Sequence, residues 1–121
     1  MRILAIESST TSAKAMLYDS KDGVVGMLSE PYSEGIEQGA TGAQDPEAVF
    51  GKTAEVARRL AADQKIDAVA TGGTWHSIIA LDQTKKAVTP SFTWAYTGAA
   101  ETARKLRADE AFCNDFYQRT G

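Results

Sequence analysis

The chain has 121 residues, 43% of them hydrophobic, and a formal net charge of −3, the size and apolar content of one domain that can close one core. Its 13 basic residues are scattered among 16 acidic ones, so there is no electrostatic footprint for nucleic acid or for an anionic membrane surface, and neither partner is expected. The apolar run ahead of Glu7 is too short for a signal peptide or a spanning helix, and the lone Cys113 can make neither an internal disulfide nor a metal cluster, which together point to a cytoplasmic, reducing setting.

In chain order, Arg2 to Glu7 reads as a short buried strand. Ala13 to Asp19 reads as a second, with Ala13, Ala15 and Leu17 on one face and Lys14, Met16 and Tyr18 on the other. The hydroxyl run Ser8–Thr11 is the turn between them. Asp19 to Gly23 carries Asp-Gly turn chemistry, and a third strand follows from Val24 to a stop near Pro31. Three antiparallel strands in succession make a meander. From Ser33 to Gln44 the glycines and polar residues show no period, and a loop is expected.

Asp45 is a good N-cap with Pro46 at the first helical position, and Val49, Phe50, Thr53, Val56, Ala57, Leu60 and Ala61 fall on one stripe of the helix that follows. The segment "KIDAVATGG" then reads as a buried strand returned parallel to the first by that helix. Ser77 to Asp82 reads as a further strand. After Pro90 comes "SFTWAYTG", and the remainder reads as two helices broken near Asp109. Cys113 falls on the second of them as a buried or half-buried structural thiol.

Two stretches can carry chemistry. A tight Ser/Thr turn between antiparallel strands offers several hydroxyls and backbone N–H groups to one small volume, which suits a phosphate. Glu7 at the end of the first strand would then need a cation between itself and the phosphates, and Mg²⁺ is the natural one. Lys14 adds a positive charge one step beyond the turn. Against this stands the plain reading that Ser and Thr are simply good turn residues. In "GGTWHS" a glycine pair at a strand end could present Trp75 and His76 at the rim of a sheet. The alternatives are a structural histidine and an aromatic pair, Trp75 and Trp94, buried in the core.

The order of the motifs tips the balance. "ILAIESSTTSAKAMLYDSKDGVV" resembles the opening hairpin of the FGGY carbohydrate kinases, "QDPEAVF" their Q-D-P-x-x-x-aromatic helix start, and "TGGTWHSIIALDQTKKAVTPSFTWA" their G-x-x-x-H-(G/S)-x-x-x-x-D segment with the x-P-x-x-x-W that follows. The final "FYQRTG" is similar to the family's aromatic-x-x-T-G. Together these cover nearly the whole chain.

The resemblance implies an α/β, ribonuclease H-like (actin-like ATPase) architecture, a mixed sheet with flanking helices, and a full protein whose two domains close on ATP, Mg²⁺ and a sugar, polyol or sugar acid, gluconate-like or xylulose-like. By motif position it places Glu7 at the metal, Thr10, Thr11, Ser12 and Lys14 at the phosphates, and Trp75, His76 and Tyr96 on the sugar-facing side. Residues 1–121 would be the N-terminal part of the first domain. The nucleotide-binding domain and the general base would lie outside them, so that this part alone is inactive. A homodimer is left open for the full-length protein.

Three positions depart from the pattern. Ser9 replaces the usual glycine of the phosphate turn. Where the family has W-x-D-x-R, this chain has Trp94, Tyr96 and Gly98, so an acid that would hold sugar hydroxyls and a cation that would place it are both missing. Two other classes compete: a ribonuclease H-like nuclease, which needs several converging carboxylates, and a non-catalytic, degenerate paralogue that keeps the fold.

Overall fold

The computed structural model describes residues 1–33 and 41–121. Most of the stretch expected as a loop from Ser33 to Gln44 thus lies outside the described residues. Strand β1, Arg2–Ser8, pairs antiparallel with β2, Ser12–Asp19, which pairs antiparallel with β3, Gly23–Pro31. This is the expected meander. At its far corner the Lys21 amide donates to Asp19 Oδ1 at 2.9 Å and Gly23 takes φ +78°, the left-handed turn position that glycine fills without strain.

A two-residue strand β4, Ala43–Gln44, leads into helix α1, Pro46–Ala61. Asp45 caps the helix through Oδ1, which accepts from the Glu47 amide at 2.9 Å and the Ala48 amide at 3.2 Å. The chain then returns as β5, Ala68–Gly73, parallel to β1, giving a four-stranded mixed sheet in the order β3-β2-β1-β5. Helix α1 lies over β2, β1 and β3. It closes a core of Leu4, Ala13, Ala15, Leu17, Tyr32, Val56 and Ala57, with Ile6, Leu28, Val49 and Leu60 packed against it. The alternation in β2 is the one expected: Ala13, Ala15 and Leu17 point into this core, and Val56 from the helix is fully buried among them.

Three expectations are corrected. β5 is not a buried strand: all six of its residues are exposed, and Val69, opposite Leu4 in the register, keeps 59% of its surface. It is the sheet edge, and α1 runs over the other three strands. Phe50 leaves the helix stripe, 69% exposed, because it sits on the flank of α1's buried face near the helix start.

Ser77–Asp82 is not a strand but two isolated bridges, Ile78 to Phe92 and Leu81 to Ala87. Asp82 folds the chain back on itself there. Its Oδ1 accepts from the Thr84 amide, the Thr84 hydroxyl and the Lys86 amide, and these bonds hold its carboxyl below the usual carboxylate range.

Strand β6, Ser91–Phe92, pairs with β4 in a small second sheet. Helices α2, Ala100–Arg107, and α3, Glu110–Thr120, follow, broken at Asp109, whose Oδ1 caps α3 at the Phe112 amide. Cys113 is half-buried on α3, its Sγ 3.4 Å from the Leu106 carbonyl oxygen. Among the described residues no helix is long and apolar enough to cross a membrane.

Candidate functional site

The turn between β1 and β2 is built by its own hydroxyls. The Ser9 amide and the Ser9 hydroxyl both donate to the Ser12 carbonyl at 3.0 Å, and Ser9 Oγ lies 3.1 Å from Ser12 Oγ. No residue from Ser8 to Ser12 takes a positive φ, so the backbone here does not call for glycine, and Ser9 replaces conformational freedom with a hydrogen bond. Two clamps hold the tip. The Thr10 carbonyl accepts from Gln44 Nε2 at 2.9 Å, and the Thr11 carbonyl from the Tyr32 amide at 2.9 Å. Tyr32 is buried, and that burial pushes its phenol pKa up.

Among the described residues, the Thr10 and Thr11 hydroxyls have no hydrogen-bond partner. The turn thus presents two uncommitted hydroxyls on a backbone pinned from three sides. The Ser12 hydroxyl, by contrast, is engaged with Ser9.

Glu7 and Lys14 face each other across the β1–β2 register, with Lys14 Nζ 3.3 Å from Glu7 Oε2 and both side chains about half exposed. They sit on the sheet face away from α1, at a crevice of about 510 Å³ that Met16, Met27, Ala70 and Gly72 also line. Lys14 is therefore directed at Glu7 rather than at the hydroxyl tip.

The glycine pair ending β5 lies beside the same place, Gly72 opposite Glu7 and Gly73 opposite Ser8. Thr74 Oγ1 donates to the Ser8 carbonyl at 3.2 Å, which ties the loop that follows to the hydroxyl turn. That loop presents Trp75, 80% exposed, and His76, whose ring meets the indole edge-on with centroids 5.7 Å apart. His76 takes φ +59°, a left-handed conformation that costs a non-glycine residue about 1–3 kcal/mol and collects at functional sites. Trp94 is also exposed, at 66%, so neither tryptophan belongs to the core.

Behind this loop a cleft of about 390 Å³ opens between the start of α1 and the ends of β1 and β5, with Ser9, Gln44, Phe50, Thr74, Ser77 and Ser91 among its walls. Of the residues given a metal, phosphate or sugar role in the sequence, none lines it, although Ser9, Thr74 and Ser77 belong to the two stretches singled out there. Gln44 and Ser77 could have been found, as neighbours of the Asp45–Pro46 helix start and of His76. Thr74 shares that signal as the neighbour of Trp75, and Ser91 carries none.

The segment after β6 is anchored to β4. Thr93 is buried and donates to the Gly42 carbonyl through its amide at 3.0 Å and its hydroxyl at 2.7 Å. Tyr96, half-buried, rests on Phe92 with ring centroids 4.5 Å apart. The Gln44 side chain of β4 reaches the Thr10 carbonyl in turn, so the segment carrying Trp94 and Tyr96, the loop carrying His76 and the hydroxyl turn are joined by side chains donating to backbone carbonyls. Among the described residues no three of His, Cys, Asp and Glu gather as a metal-holding group. The clustered carboxylates of a two-metal nuclease are not found there.

Known proteins share this arrangement. The sequence model of the FGGY family of carbohydrate kinases, N-terminal domain, matches residues 2–121. A gluconokinase of Bacillus subtilis is 30% identical over 98% of this chain. The crystal structure of a ligand-bound xylulose kinase from Lactobacillus acidophilus superposes over 97% of the chain with a TM-score of 0.81 at 27% identity, and that of a gluconate kinase from the same organism with a TM-score of 0.78 at 26% identity. The chain spans about a quarter of the length of these relatives, 24% in each case. With the family model matching residues 2–121 and the backbone superposing over 97% of the chain, the chain belongs to the FGGY family of carbohydrate kinases and has their actin-like ATPase fold.

Proposed function

We propose that residues 1–121 form the phosphate- and sugar-facing wall of a cytoplasmic, ATP-dependent kinase that transfers the γ-phosphoryl group to a hydroxyl of a sugar, polyol or sugar acid, gluconate-like or xylulose-like. In that transfer the acceptor oxygen forms a bond to the γ-phosphorus, the bond from that phosphorus to the β,γ-bridging oxygen breaks, and the acceptor's proton passes to a base contributed from outside these residues. The observation that carries the reading is the hydroxyl turn, two free threonine hydroxyls on a pinned backbone, with the exposed Trp75–His76 pair leaving the sheet directly beside it.

Each residue has a part to play. Thr10 and Thr11 donate to phosphate oxygens, and rigidity keeps that donation cheap in reorganisation. Ser12 holds the turn through Ser9. Trp75 and His76 bind the acceptor, the indole against its C–H faces and the imidazole to a hydroxyl, and Tyr96 closes the acceptor side from the neighbouring segment. Glu7 is the residue that would hold Mg²⁺. The donor set fits, because this ion takes one or two carboxylates and fills its shell with phosphate oxygens and water. When bound, the ion supplies charge neutralisation of the phosphates. Lys14, paired to Glu7, orients that carboxylate.

The test is Glu7→Gln in the complete protein, which keeps size and shape but loses the charge. Turnover is expected to fall at least ~10²-fold, the scale for removing a preorganised electrostatic group. Unchanged turnover at saturating Mg²⁺ would remove Glu7 from the site. A complete parent protein without sugar-dependent ADP release would favour the non-catalytic paralogue. The 121-residue chain by itself should bind ATP only in the millimolar range or weaker, since an open wall neither excludes water nor prepays the ordering of a ligand.

A further inference from the structure

The two residues at which this chain departs from its family's W-x-D-x-R pattern, Tyr96 and Gly98, are in contact. A Cβ built on Gly98 would fall into the Tyr96 phenol, against Oη and Cζ and 2.8 Å from Cε1. The overlap is with the distal end of the ring, so a side chain at position 98 requires the Tyr96 side chain to swing aside. Gly98 has no left-handed φ; what it provides is room for the Tyr96 ring in its present rotamer, not backbone freedom. On its other side the Tyr96 ring rests on Phe92, tilted by 46° with centroids 4.5 Å apart.

Phe92 in turn is fixed to the histidine loop. Its amide donates to the Ile78 carbonyl and its carbonyl accepts from the Ile78 amide, both at 3.0 Å, and Ile78 lies two residues beyond His76. The Tyr96 ring is therefore one link in a short chain of contacts running from Gly98, through Phe92, to the strand-like segment that carries His76. Its own backbone is held by the Tyr96 amide, which donates to the Thr93 carbonyl at 3.0 Å, within the turn that displays Trp94.

We propose that Tyr96, wedged between Phe92 and Gly98, is a positioning residue that sets the placement of the Trp94 turn against the His76 loop, with Gly98 as its required small partner. The proposal rests on the carbohydrate-kinase reading only in calling these two loops the acceptor side. Where the resemblance to the family implies an acid and a cation, this chain has an uncharged aromatic ring over a glycine.

The test has a structural arm and a kinetic one. By NMR, the 121-residue chain should show an upfield-shifted Gly98 Hα and cross-peaks from it to the Tyr96 ring. Tyr96→Phe keeps both and Tyr96→Ala loses both. Their absence from the parent chain would overturn the interlock. In the complete enzyme, Gly98→Ala should raise the KM for the acceptor roughly 10-fold or more while leaving that for ATP within about 2-fold, since misplacing a positioning group by a fraction of an ångström has effects on this scale.

Tyr96→Ala combined with Gly98→Ala should be no worse than Tyr96→Ala alone, because the clash is gone. If Gly98→Ala does not fold, recovery of a folded protein in that double variant supports the wedge, and failure to recover overturns it. Equal rises in both KM values would overturn the positioning role even with the interlock intact. These outcomes are independent of Glu7→Gln, which tests the kinase reading itself.

Discussion

Replacing Gly42 by alanine should release the segment that carries Trp94 and Tyr96. Gly42 takes φ +71° and sits so close to the facing chain that a Cβ would lie 2.5 Å from the Ala95 carbonyl carbon and 2.6 Å from both the Ala95 oxygen and the Tyr96 nitrogen. These are backbone atoms, so no side-chain rotation relieves the overlap. The left-handed conformation alone costs an L-residue with a Cβ about 1–2 kcal/mol. Moving the strands apart then breaks both bonds from Thr93 to the Gly42 carbonyl and strands a hydroxyl that is 5% exposed, worth about 1–3 kcal/mol more.

The sum is roughly 2–5 kcal/mol. It falls on a two-strand ladder at the periphery rather than on the main core, so it should appear as local opening. Amide hydrogen exchange reads this directly. Protection of the Thr93 amide should drop at least ~25-fold, since every 1.4 kcal/mol is a factor of ten, while Leu4 and Leu17 in the central strands keep theirs. Thr93→Val, which removes one of the two bonds, should lower protection only about tenfold. Thr93 protection within about threefold of the parent in Gly42→Ala would refute the close approach and the anchoring role drawn from it.

Asp45→Ala should destabilise the fold by about 0.5–2 kcal/mol, because two α1 amides lose their acceptor. Urea melts with an unchanged slope and a lower midpoint would show it, and Asp45→Asn should recover most of the loss. Glu30 is held below its ordinary value of 4.5 by its hydrogen bond from Lys52 and then by Arg59, which bind β3 to α1. Since its folded pKa is the lower one, that contribution is complete above about pH 4.5 and declines as the pH falls towards the folded value. Thermal melts between pH 7 and 3 should therefore flatten on the acid side in Glu30→Gln, and a parallel acid limb in parent and variant would count against the clamp. His76→Ala in the complete enzyme should raise the KM for the acceptor far more than that for ATP, with His76→Asn, which tolerates the left-handed backbone, separating lost contact from lost loop geometry. Equal effects on both substrates would make His76 structural.

Local chemistry was enough to determine the meander, the capped helix and the break at Asp109. Alternation at Ala13, Ala15 and Leu17 has period two whatever surrounds it, and an N-cap such as Asp45 or Asp109 acts within three residues of itself. Motif order along the chain was enough to place the family and to single out Glu7, the hydroxyl turn, Trp75, His76 and Tyr96. Tertiary structure decided what depends on distant partners. β5 has a buried strand's composition but lies at an edge, because α1 crosses the other three strands. Ser77–Asp82 alternates like a strand yet finds only Phe92 and Ala87 to pair with. Lys14 meets Glu7 only because the β1–β2 register sets them opposite. The lack of a glycine at position 9 is answered by Ser12, three residues away. Gln44 and Thr93 are clamps solely through residues 34 and 51 positions distant, a separation at which sequence pattern carries no distance information. Tyr96 and Gly98 stand two apart in sequence, but that the ring folds back over the glycine depends on Phe92 being held by Ile78, and only the folded chain brings those residues together.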